Sequence, residues 1–69
     1  MNWISVEDKL PEDESKTYLV YGANNYVQIM WFNIGNKEWW NSHTLIVLKV
    51  SDSVITHWQP IIAPNGKVI

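Results

Sequence analysis

The sequence predicts a mainly β fold: a small curled antiparallel sheet or barrel-like domain of four to five strands, with a short helical turn near the N-terminus. Three observations carry that expectation. Short runs of β-branched and aromatic residues recur along the chain, each bounded by Gly, Asn, Asp, Ser or Pro. At each end a Trp lies in such a run and a Pro follows it, in Trp3-Ile4-Ser5-Val6 with Leu10-Pro11 and in Val54-Ile55-Thr56-His57-Trp58-Gln59-Pro60. The third is size. A chain of 69 residues buries only about 60% of the surface its unfolded form exposes, and without Cys it has neither disulfides nor thiolate metal sites to staple it. Five Trp, three Tyr and one Phe are available for the core, each able to bury roughly 150–250 Å².

Taken in order, Trp3-Ile4-Ser5-Val6 is extended by composition. Ser5 followed by Asp8 fits a capping pattern that allows one helical turn over residues 6–9 before Pro11 stops it. The two end segments are expected to form the terminal edges of the sheet, with Trp3 and Trp58 mostly buried and near each other. Glu12-Asp13-Glu14-Ser15-Lys16 is a polar loop. Thr17-Tyr18-Leu19-Val20-Tyr21 is a strand, and Gly22-Ala23-Asn24-Asn25 has the residues of a hairpin loop. The next strand, residues 26–32, places Val27, Ile29 and Trp31 on one face and Tyr26, Gln28, Met30 and Phe32 on the other. Being apolar on both sides, it is either covered on both faces or presents one of them to a partner, and Met30 and Phe32 are the residues assigned to that partner.

Asn33-Ile34-Gly35-Asn36-Lys37 is a turn, and Glu38-Trp39-Trp40-Asn41 a short strand. Its adjacent Trp residues must point to opposite faces, so Trp39 or Trp40 is exposed. Residues 45–50 read as a buried strand that Ser51-Asp52-Ser53 turns back onto residues 54–58 as a hairpin. Pro60 ends the pairing. The turn Pro64-Asn65-Gly66 makes the tail, residues 63–69, either a small hairpin or a loose end. The whole chain reads as one domain.

Charge narrows the choice of partner. The net charge of −2 is uneven: residues 1–14 hold Glu7, Asp8, Glu12, Asp13 and Glu14 against Lys9 alone, and the rest of the chain is net positive. There is no Arg, the residue best suited to bidentate phosphate and base contacts, so nucleic acid is a poor partner. No apolar run approaches the ~20 residues of a membrane span, and the N-terminus lacks the basic and apolar regions of a signal peptide. A soluble, cytoplasmic protein is expected, with no membrane association.

Candidate chemistry is sparse. His57 has the chemistry of a general base or pH switch, but a His beside a Trp in a strand is more often structural, stacked on a ring and hydrogen-bonded to the backbone. His43 reads as an exposed loop residue. The two are fourteen residues apart with no local acid, which is not a zinc spacing. Ser42-His43 lacks any sign of an orienting third group or oxyanion hole. Gly22, Gly35 and Gly66 stand singly in turns and form no phosphate loop. No catalytic, metal or cofactor residue is assigned. Glu12, Asp13 and Glu14 are either a solvated loop or an acidic recognition patch.

The order Trp3-Ile4-Ser5-Val6, Asp8, Leu10-Pro11-Glu12, then Tyr18-Leu19-Val20-Tyr21, then Thr56-His57-Trp58 and Pro60, resembles a small domain of unknown function common in tailed phages and prophages. The resemblance covers residues 1–62, with Trp3, Pro11, His57, Trp58 and Pro60 as its structural motif. Gln59 stands where a larger apolar residue, usually Met, is expected. In that family the domain occurs alone or at the C-terminus of early-region proteins of lambdoid phages, and the resemblance implies no established enzymatic activity.

The functional expectation is therefore a phage- or prophage-encoded accessory protein, a non-catalytic module that binds a host or phage protein and inhibits a host factor. Its candidate binding residues are Glu12, Asp13, Glu14, Trp39, Trp40, Met30 and Phe32, and a homodimer would use the Met30–Phe32 face. Two other classes stay open: a single-strand nucleic-acid binder using stacked aromatics, and a small hydrolase whose site the sequence does not reveal.

Overall fold

The computed structural model describes residues 3–41 and 43–69. At its centre lie two strands, β2 (Thr17–Gly22) and β3 (Tyr26–Asn33), rich in β-branched and aromatic residues as a pleated sheet favours. A 3-10 turn over Ala23–Asn25 joins them. Asn24 and Asn25 both take left-handed backbone there (φ 59° each), which Asn tolerates better than most residues. Further strands are β1 (Ile4–Ser5), β4 (Glu38–Asn41), β5 (Ile46–Lys49) and β6 (Ile55–Pro60). The spatial order is β1-β6-β2-β3-β4-β5, with every neighbouring pair antiparallel.

The fold class is mainly β, as expected. The sheet has six strands rather than four to five, and it is open. The extra edge is β1, whose two residues pair Ile4 with Trp58 and Ser5 with His57. The 54–60 segment is not a terminal edge: β6 lies inside the sheet, between β1 and β2. Residues 45–50 are not a buried strand either, because β5 is the other edge and Ile46 and Val47 are exposed. Nor does the 51–53 segment make a hairpin with it. Val50–Asp52 forms a 3-10 turn ended by Ser53 at φ 58°, and the chain then joins β2 and β1. The reason is burial: β6 carries Ile55 and Trp58, and an interior position closes both of its sides.

One face of the sheet holds the core, formed by Tyr18, Val20, Met30, Phe32, Trp39, Ile55 and Trp58, with Ile4, Val6, Leu10, Tyr26, Leu48 and Val50 packed against it. Met30 and Phe32 are thus core residues, not a partner face. Side chains alternate along a strand, and Met30 lies opposite buried Tyr18, so Val27, Ile29 and Trp31 take the outside. Alternation also moves Trp3. With Ile4 paired to Trp58 on the core face, Trp3 points to the other face, 36% exposed against Tyr21 at 5.8 Å between centroids, rather than buried beside Trp58.

Aromatic contacts bind the core. Tyr18 stands edge-on to Trp58 at 5.2 Å and to Trp39 at 6.5 Å, and Phe32 is tilted on Trp39 at 4.7 Å. Residues 6–10 cover part of it. Asp8 and Lys9 N–H both donate to Ser5 O (3.0 and 3.1 Å), giving a single turn, while Trp58 Nε1–H donates to Lys9 O at 2.8 Å. Pro11 is buried where this cover ends. The tail is a small hairpin: Ile62 bridges Val68, with Gly66 at φ 82° in the turn.

Candidate functional site

Cross-strand partners share a face, so the register lays out the side of the sheet that the core does not use. Thr17, Trp31, Trp40 and Val47 form one row across β2, β3, β4 and β5, and Leu19 with Ile29 begins the next. Trp31 is 50% and Trp40 39% exposed, and Val27, Ile29 and Val47 are exposed beside them. Among the described residues none covers this row, as the exposure of Trp31, Trp40 and Val47 shows.

Leu45 extends the row. It is 83% exposed and sits at φ 58°, a left-handed backbone that costs a non-glycine residue about 1 kcal/mol or more. Burial does not explain the placement. His43 and Thr44 before it are pinned by Asn41, a buried polar side chain whose Oδ1 accepts from their N–H groups (3.0 and 3.2 Å). Between Trp31, Trp40, Asn41 and residues 45–47 lies an apolar recess of about 330 Å³.

On the other side of the two indoles is a second recess, about 200 Å³, lined by Glu14, Trp31, Phe32, Asn33 and Trp40. Glu14 Oε1 accepts from Ile34 N–H at 2.8 Å, which fixes the carboxylate against the turn between β3 and β4. Glu38 Oε1 accepts from Trp40 Nε1–H at 3.3 Å. The acidic loop therefore divides. Glu14 joins the Trp pair, and Glu12 is exposed beside Val6 and Phe32. Asp13 turns inward on its own loop, its Oδ1 accepting from Ser15 N–H and from the Ser15 hydroxyl. Those two bonds hold the Asp13 carboxyl below the usual aspartate range. Its carbonyl accepts from Tyr18 Oη–H at 2.9 Å. Burial, and then the Asp13 charge, push the Tyr18 phenol above its ordinary value.

Of the adjacent Trp pair, Trp40 is the exposed member and Trp39 is wholly buried. Trp31, Val47 and Leu45 were missed as site residues. A two-sided apolar strand leaves open which parity faces the core, and a Leu after Thr44 carries no sequence sign of left-handed backbone.

A further cavity, about 480 Å³, collects Ser5, Glu7, Ser53, Thr56 and His57 between the two terminal motifs. Its chemistry is structural in arrangement. His57 Nδ1 lies within hydrogen-bond distance of Thr56 Oγ1, at 2.9 Å, and Thr56 Oγ1 also lies 3.3 Å from Tyr21 O. The partner that orients the imidazole is thus a hydroxyl and not a carboxylate, and Tyr21 stands edge-on to the ring at 6.4 Å. Ser5 Oγ accepts from Glu7 N–H at 3.2 Å. Ser42, paired with His43 in the sequence reading, lies outside the described residues. Among the described residues no cluster of His and acids is arranged to hold a metal ion, and no helix is long and apolar enough to cross a membrane.

The chain belongs to the family described as Protein of unknown function (DUF551), whose model matches residues 2–65. No curated protein and no solved structure matches it.

Proposed function

We propose that this protein is a phage- or prophage-encoded accessory protein of the host cytoplasm that works by binding another protein through the outer face of its sheet, with no chemistry of its own. The observation that carries the reading is the exposed row Trp31, Trp40 and Val47, continued by Leu45. Large exposed apolar patches mark interaction sites, and Trp is the residue most enriched at interface hot spots. Phage origin rests on the resemblance of the terminal motifs, and inhibition of a host factor is the mode of action that such a module suggests. Lys49 is the cation on this face, opposite Glu38, which gives little of the positive groove that single-strand binding requires.

Affinity capture from host lysate tests the reading. The parent chain should retain a protein that Trp31→Ala and Trp40→Ala lose, each variant keeping its folded signature. Equal retention by both variants sinks it.

A further inference from the structure

We propose that the Trp31–Trp40 pair is a clamp for a basic side chain of the protein partner, its aliphatic stem lying on the indoles and its charged head meeting Glu14. This rests on the outer face being a protein-binding surface and names the chemistry bound there.

The two recesses differ in character. On the β5 side the walls are Trp31, Trp40, Leu45, Ile46 and Val47, with Asn41 as the polar member. Across the indoles lie Glu14 and Asn33. An acidic occupant would meet Glu14 and Glu38. A purely apolar one would cover the Glu14 carboxylate without giving it a partner, and burying an unpaired charge is costly. Lys and Arg avoid both penalties, because their stems cover apolar surface while the head stays polar, and Trp is the ring that attracts a cation most strongly.

The local charges single out Glu14. Glu38 has Lys49 directly opposite on the same face, and Lys16 acts on Asp13. Among the described residues Glu14 is held in position by Ile34 N–H through Oε1, and its second oxygen is an acceptor for a partner. A second copy of this chain is a poorer occupant than a foreign protein. It has no Arg to offer, and its net charge of −2 works against docking on an acidic recess.

The test is titration of the ¹⁵N-labelled chain with a short peptide holding an arginine between two leucines, and with its citrulline counterpart, which keeps the shape and removes the charge. The indole N–H signals of Trp31 and Trp40 should shift saturably. The arginine peptide should bind about fivefold more tightly than the citrulline one, the size of an exposed cation–π and ion-pair preference. Glu14→Gln, which keeps an acceptor for Ile34 N–H, should erase most of that preference, and Glu14→Asp should restore part of it. Equal binding of the two peptides overturns the clamp, as do shifts confined to other residues. Indole shifts that follow protein concentration alone overturn it too, and assign the face to a second copy. If the peptides bind equally while Trp31→Ala and Trp40→Ala still lose the captured protein, the interaction reading stands and only the basic clamp falls.

Discussion

Trp39 and Trp40 are chemically identical neighbours that the pleat sends to opposite faces, and their substitutions should separate stability from recognition. Trp39 is fully buried against Tyr18 and Phe32, so Trp39→Ala should cost about 3–5 kcal/mol, a large share of the stability of so small a chain. Trp40→Ala should cost about 1 kcal/mol, the ordinary value for a partly exposed site. Denaturant midpoints decide, and equal losses would mean that the outer indole also serves the core. Asp13 gives a pH prediction with a defined sign. Its folded pKa is lowered by the two Ser15 bonds, so its contribution is present above the unfolded value and is lost as pH falls through the folded one. A carboxyl titration followed by NMR should place the Asp13 midpoint below the ordinary aspartate range, and Ser15→Ala should move it back up.

Among the elements, β5 and β2 should behave as opposites. Val50 N–H donates to Lys37 O, and the alternation this sets turns the amides of Leu48 and Ile46 toward β4 and those of Val47 and Lys49 outward. Lys49 N–H meets the Asp52 carboxylate at 3.4 Å, which blunts the edge against pairing with another strand. Hydrogen exchange should find the Val47 amide weakly protected and that of Val20, in the interior strand, exchanging only on global unfolding. Comparable protection would show that something pairs with the β5 edge in solution. The junction of β2 with β6 has its own test. A Cβ on Gly22 would lie 2.1 Å from Val54 O, where the register shifts at a bulge, so Gly22→Ala must displace backbone. The expected cost is about 1–3 kcal/mol or more, measured as a drop in midpoint.

At the scale of the molecule, the order β1-β6-β2 ties the chain ends together, and the two ends should differ in worth. Residues 3–11 bring Ile4, Val6 and Leu10 to the core and Lys9 O to the Trp58 indole, so a chain truncated before Glu12 should fail to fold cooperatively. Removing residues 64–69 takes away exposed side chains, one isolated bridge and a few local backbone bonds, and the thermal midpoint should fall by no more than about 4–8 °C, matching a loss of about 1 kcal/mol. A large loss from the second truncation would give the tail a structural role that its contacts do not show.

Local chemistry by itself settled the strands around Tyr18 and Trp39, the Asn-rich turn at residues 23–25 and the tail turn at Gly66, because β-branching and turn residues act over a few positions. It also settled that one of the two adjacent Trp must face outward, since period two allows nothing else. Only the tertiary structure decided that Met30 and Phe32 face inward, because both parities of β3 are apolar and the choice is made by Tyr18 across the ladder. It alone placed β6 in the interior and β5 at the edge, since pairing partners far apart in sequence are chosen by which arrangement buries Ile55 and Trp58. The candidate site follows from those two decisions: Trp31 comes beside Trp40 only through the β3–β4 register, and Glu14 reaches them through a bond to Ile34, twenty residues away.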